Sequence, residues 1–242
     1  MNSSAPIVRL GGAILGAAAG MAAIAMVSAP AMAVAADAAH PTVVELFQSQ
    51  GCSSCPPANA NVMAIAGRAD ILALSWQVTY WDQLGWKDTF GAPAYTARQW
   101  DYAHALHHSN VFTPQVVVNG RADGVGVRRE ELDALLRKAD RGDGGPKVTI
   151  LGDRVVIEGA AAHATVLLVR YDPNIVQVPI QRGENGGRTL PHRNVVHQVV
   201  RLGDWNGGVA RFDLPSATRP GLKTAILVQA GPGGAILAAA RT

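Results

Sequence analysis

Cysteine is scarce: the 242-residue chain has two, Cys52 and Cys55. Two cannot build a disulfide-dense scaffold. Nor can they alone make a four-cysteine zinc site or hold an iron–sulfur cluster. Charge is scarce too. Only 16% of residues are charged against 48% hydrophobic, a balance that excludes a disordered chain. Neither sign dominates, because 21 Lys and Arg face 18 Asp and Glu, a formal net charge of +3. No run of five like charges and no basic stripe occurs, so no nucleic-acid partner is expected.

Long apolar runs are absent with one exception. Leu10 to Val27 carries no charge, follows Arg9 and leads to Ala31-Met32-Ala33, a small-x-small cleavage pattern. These are the marks of a signal peptide at residues 1–33, cleaved after Ala33. The competing reading is a membrane anchor, but Gly and Ala dominate the run and Pro30 follows it. The expectation is a periplasmic or secreted protein with no stable membrane anchor after cleavage, in an oxidising compartment. Removing 33 of 242 residues leaves 209, enough for one large domain or two small ones.

After the leader, TVVELF (42–47) and ILALSWQV (71–78) read as buried strands flanking a helical pattern through Val62, Met63, Ile65 and Ala66. A helix is expected over Ala94–His107, a third strand over QVVVN (115–119), and an amphipathic helix over Arg128–Ala139. Alternating strands and helices predict an α/β domain over 41–141. The glycine-rich stretch Asp140–Pro146 reads as a linker. Beyond it KVTIL-GD-RVVIE reads as a hairpin, and further strand-like runs follow up to Ala239. They predict an all-β, sandwich-like domain over 147–242.

Cys52-Ser53-Ser54-Cys55 lies between a strand and a helix. Thiols at that spacing close a disulfide with little backbone movement, and the pair can pass two electrons to and from protein thiols or disulfides. Such exchange needs no cofactor and no resident metal. An inert staple is the plain alternative, yet closing so short a ring removes only about 2 kcal/mol of unfolded-state entropy. Soft-metal binding is the other alternative, with Cu(I) held by Cys52, Cys55 and one of His104, His107 or His108. Helical spacing would put those three histidines on one face. A second element of the site is Thr113-Pro114, directly before a strand. A cis bond there would present backbone for docking a cysteine-bearing segment.

Strand–CxxC–helix–strand–insertion–Thr-Pro–strand–turn–helix resembles the thioredoxin fold. More closely, VVELFQSQGCSSCPPANA, WQVTYWDQLGWKD, YTARQWDYA, VFTPQVVVNG and RGENGGRTLPHRNVV together resemble an uncharacterised family of secreted bacterial proteins with a thioredoxin-like fold. The resemblance runs from Val43 to the C-terminus. It implies a thioredoxin-like domain with a helical insertion, with Cys52 as nucleophile and Cys55 as resolving thiol. Glu45, a carboxylate inside an apolar strand, would correspond to the buried proton relay beneath the disulfide; the alternative is a strand Glu paired with a basic residue. Pro56 and Pro57 depart from the thioredoxin pattern. They suggest a helix beginning at one of them, with the cysteines outside its dipole.

Eight of the 13 aromatics fall between Trp76 and Tyr102. They read as a satellite core or as a cover over the CxxC, with Asp82, Lys87 and Asp88 as its polar rim. Arg182–Asn194 reads as a glycine-rich hairpin loop; in a second reading it reaches the redox site, with Arg188 or His192 facing a partner.

Overall fold

The computed structural model describes residues 1–5, 36–160 and 162–242. The expected signal peptide lies outside the described residues. Among the described residues no helix is long and apolar enough to cross a membrane.

The first strand, β1 (Thr42–Gln48), is buried at every position. It pairs in parallel with β2 (Ile71–Gln77) and antiparallel with β3 (Gln115–Val118), which β4 (Ala122–Gly124) extends. A strand with neighbours on both sides and cover on both faces needs apolar side chains in both directions, which is why TVVELF shows no alternation. On one face Val44 and Leu46 meet Ala58, Val62 and Ile65 of α1 (Cys55–Ile65) and Leu132 and Leu135 of α3 (Arg129–Lys138). On the other, Val43 and Phe47 meet Tyr95 and Tyr102 of α2 (Pro93–Ala105).

The C-terminal half is all-β, as its sequence suggests, but it does not stand apart. β7 (Ala164–Asp172), β10 (Val195–Trp205), β12 (Lys223–Gln229) and β13 (Ile236–Arg241) continue the same eight-stranded sheet, in the order β13-β12-β7-β10-β2-β1-β3-β4. The join is β10 beside β2, where Val195 opposes Ser75 and the Ser75 amide donates to the Asn194 carbonyl at 2.9 Å. The expected separate domain at 147–242 is therefore corrected to a mixed α/β sheet crossing the Asp140–Pro146 stretch. Sandwich-like layering survives locally. β5 (Lys147–Leu151), β6 (Arg154–Gly159) and β11 (Gly208–Asp213) form a three-stranded sheet. Its Val155 and Ile157 pack on Val166, Leu168 and Trp205.

The last element is a small ribbon, β8 (Val176–Pro179) with β9 (Thr189–His192). The Arg182–Asn194 stretch thus contains a strand as well as a loop. Val178, Ile180 and Leu190 of this ribbon pack against Trp86 and Phe90.

Candidate functional site

After β1 the chain turns through Ser49-Gln50-Gly51. The Cys52 amide donates to the Ser49 carbonyl (3.1 Å), and the Cys55 amide to the Cys52 carbonyl (3.2 Å). That turn brings the sulfurs together, and Cys52 and Cys55 form a disulfide. Helix α1 starts at Cys55, one residue before the first of the two prolines expected to open it, with Ser54 before it and proline in its first turn. A proline there lacks only an N–H that has no helical partner anyway. Cys52 lies outside the helix, as the prolines suggested.

The Thr113–Pro114 bond is cis. This segment faces the cysteine loop: the Ser54 hydroxyl lies 3.3 Å from the Cys52 sulfur and 3.5 Å from the Thr113 carbonyl. Trp81 donates its indole N–H to the Thr113 hydroxyl at 2.7 Å. Cys52, Cys55, Thr113 and Pro114 therefore belong to one site.

Glu45 does not. In β1, Val44 and Leu46 point to α1, so Glu45 points to the opposite face. There Arg98 of α2 grips it with two hydrogen bonds (2.7 and 2.9 Å), and the Tyr102 hydroxyl donates to it. Arg98 also donates to the Gln229 side chain at 3.0 Å. Burial pulls the Arg98 guanidinium down, but the charge and hydrogen bonds of Glu45, together with Tyr102 and Asp101, outweigh it, and the net direction is up. The proton-relay expectation is replaced by a buried ion pair.

The three histidines do not join the cysteines either. Helix α2 stops at Ala105 because His107 turns left-handed at φ 63°. The His107 amide bonds back to the His104 carbonyl and that of His108 to Ala103, a Schellman closure that splits their common face. His108 pairs instead with Asp123 at 2.8 Å. Among the described residues, no group of three or more His, Cys, Asp or Glu side chains is placed to hold a metal ion.

Both cysteines are buried, Cys52 at 0% and Cys55 at 1% exposure. The loop between β8 and β9 is bonded to the backbone of the cysteine loop. Asn185 donates from one side-chain nitrogen to the Gln50 and Cys52 carbonyls, each at 2.9 Å, and Arg188 holds its oxygen at 2.6 Å. Glu184 accepts from the Ser53 amide at 3.0 Å, and its bonds to Ser53 lower its carboxyl. Gly183 has φ 76°, and a Cβ there would meet that of Trp86 at 3.3 Å, so the turn requires glycine. The loop thus reaches the cysteine loop; of the two residues expected to face a partner there, Arg188 is exposed and His192 is buried.

Gln50 anchors the other side. Its side-chain oxygen accepts from Trp86 and from the Thr89 amide, while its own amide donates to Asp88 at 2.7 Å. Asp88 is not a rim residue but is buried, and burial pushes its carboxyl up to about 6 against the pull of its bonds to Gln50 and Phe90. The aromatic segment splits between both readings. Trp76, Tyr95 and Tyr102 are core, whereas Trp81 and Trp86 border the cysteine loop.

Sequence reasoning missed Gln48 and Asn59, and placed His192 facing a partner where it is buried. Gln48 bonds Asn59 of α1 at 3.0 Å, and Asn59 donates to the Pro191 carbonyl at 2.7 Å. His192 joins them around a small cavity beside Cys55. The strand periodicity of β1 offered a signal for Gln48, two residues past Leu46; nothing local marked His192 as buried.

A family model described as a protein of unknown function (DUF1223) matches residues 43–229. The chain is similar to a crystallised protein of Agrobacterium tumefaciens, AGR_C_4864, at 30% identity and a TM-score of 0.69, over 85% of this chain and 94% of that one. It also resembles HBP35 of Porphyromonas gingivalis at 11% identity and a TM-score of 0.55, over 86% and 76% of the two chains, a likeness of fold alone. No curated protein matches significantly.

Proposed function

The chain belongs to the DUF1223 family, and for this member we propose a thioredoxin-like thiol–disulfide oxidoreductase acting on protein thiols after export to the periplasm. The observation that carries the reading is the Cys52–Cys55 disulfide set between β1 and α1 with the Thr113–Pro114 segment against it. A thiolate of a partner protein attacks the Cys52 sulfur, Cys55 leaves, and the mixed disulfide is resolved by the partner's second thiol or by return of Cys55. The exposed Ser53-Ser54 edge and the Thr113 carbonyl offer the surface along which a substrate segment docks.

Burial of both cysteines favours a second reading, a disulfide that only braces the cysteine loop. Reduction of the native chain by a dithiol separates the two. Under the exchange reading the disulfide is reduced while the chain stays folded, and Cys52→Ser abolishes turnover with a disulfide-bearing protein. Retention of turnover in that variant would remove Cys52 from the mechanism.

A further inference from the structure

His192 lies at the end of β9 and is 2% exposed. Neither ring nitrogen meets a hydrogen-bond partner among the described residues. Phe90 stands edge-on to the ring at 6.2 Å. Leaving such a polar ring buried and unpartnered is costly, and natural proteins keep few such groups. The ring lines a cavity of about 50 Å³ whose wall includes Cys55, Gln48 and Asn59. That volume has room for water, so an imidazole and the resolving cysteine line one small pocket on the α1 face of the sheet, the face Glu45 does not reach.

We propose that His192 accepts the proton of the Cys55 thiol when Cys55 resolves a mixed disulfide held at Cys52. The assignment rests on the exchange reading above. In this step the Cys55 S–H bond breaks and its proton passes to a free ring nitrogen, directly or through one water. The Cys55 thiolate attacks the Cys52 sulfur; the Cys52–Cys55 bond forms and the bond from Cys52 to the substrate sulfur breaks. The electron pair leaves with the substrate thiolate, which takes up a proton. The cysteine pair is oxidised and the substrate cysteine reduced.

The surroundings suit this role. In the disulfide form burial alone acts on His192 and pushes it down to about 4, which keeps the ring neutral and ready to accept. Helix α1 presents no charged side chain, and β8 presents none. Asp88 lies two residues from Phe90, and His197 of β10 sits across the Phe90 ring, with Arg219 beside it. In the mixed disulfide Cys52 is bonded to the substrate sulfur, so a thiolate at Cys55 is the one new charge, and it raises the imidazole by direct attraction.

The test mixes reduced full-length chain with dithiobis-nitrobenzoate in a stopped-flow instrument. The first release of coloured thiolate reports attack by Cys52, and the second reports resolution by Cys55. In His192→Gln the first phase keeps its rate, and the second slows about tenfold or more at neutral pH. The difference closes above about pH 9, where the thiol ionises unaided. Imidazole titration by NMR in the unaltered chain gives the second readout and decides even where the variant does not fold: the His192 value rises by about one unit or more on reduction. An unchanged second phase, or one titration curve in both redox states, overturns the assignment. Absence of the first phase in the unaltered chain overturns the exchange reading, and this step with it.

Discussion

At Asp88 burial favours the neutral carboxyl, and its value of about 6 stands above the ordinary 3.8. Between those values the folded chain binds more protons than the unfolded one. Stability therefore falls as pH rises from about 4 to about 6, by up to roughly 3 kcal/mol. Denaturant titrations at the two ends of that window should show this loss, and Asp88→Asn should remove most of it. An equal pH dependence in variant and parent would assign the effect elsewhere. Glu45 gives the opposite case, a carboxylate held by a guanidinium. Glu45→Gln leaves Arg98 charged and buried, at a cost of roughly 3–5 kcal/mol. The resolution rate at Cys55 in the folded fraction should not change, because the ion pair lies across the sheet. The sequence made Glu45 conspicuous as a charge among apolar neighbours. Which way it points depends on strand parity relative to α1, and its partner lies 53 residues away.

The β8–β9 loop, at the scale of an element, is bonded to the cysteine loop and is expected to limit access to the disulfide. Asn185 is its main tie, with two bonds to backbone carbonyls at Gln50 and Cys52. Asn185→Ala forfeits these at about 1–3 kcal/mol. Each 1.4 kcal/mol raises the population of a locally opened loop about tenfold. Reduction of native disulfide by dithiothreitol should therefore quicken by about tenfold, while far-UV circular dichroism stays as in the parent. A rate equal to the parent's would mean that this loop does not control access. The elements themselves were largely legible: β1, β2, β3 and α3 follow their apolar patterns within a residue or two. The end of α2 was not, because three histidines at helical spacing gave no sign that His107 would adopt a left-handed conformation. The short β9 hid inside a polar, glycine-rich stretch, since its register comes from β8 and not from alternation.

Across the whole molecule the two halves share one sheet and one polar network. Gln229 of β12 accepts from Arg98 and donates to Tyr102 at 3.1 Å, tying the C-terminal strands to α2. Val169, Tyr171 and Ala225 share a core with Phe47 and Trp76. Heat should therefore unfold residues 36–242 in a single transition, with tryptophan fluorescence and circular dichroism coinciding. Two separated transitions would restore the domain boundary that the Asp140–Pro146 glycines suggested. That boundary misleads because the pairing that erases it joins Val195 to Ser75, a contact 120 residues apart with no local signature. The claim on which the rest depends is that this buried disulfide exchanges electrons in the native fold. The most direct measurement is equilibration of the full chain in graded glutathione buffers, with thiol alkylation to count reduced cysteines and circular dichroism to follow the fold. Reversible reduction of Cys52 and Cys55 with the fold intact is the predicted result. A disulfide that stays closed until the chain unfolds would contradict it.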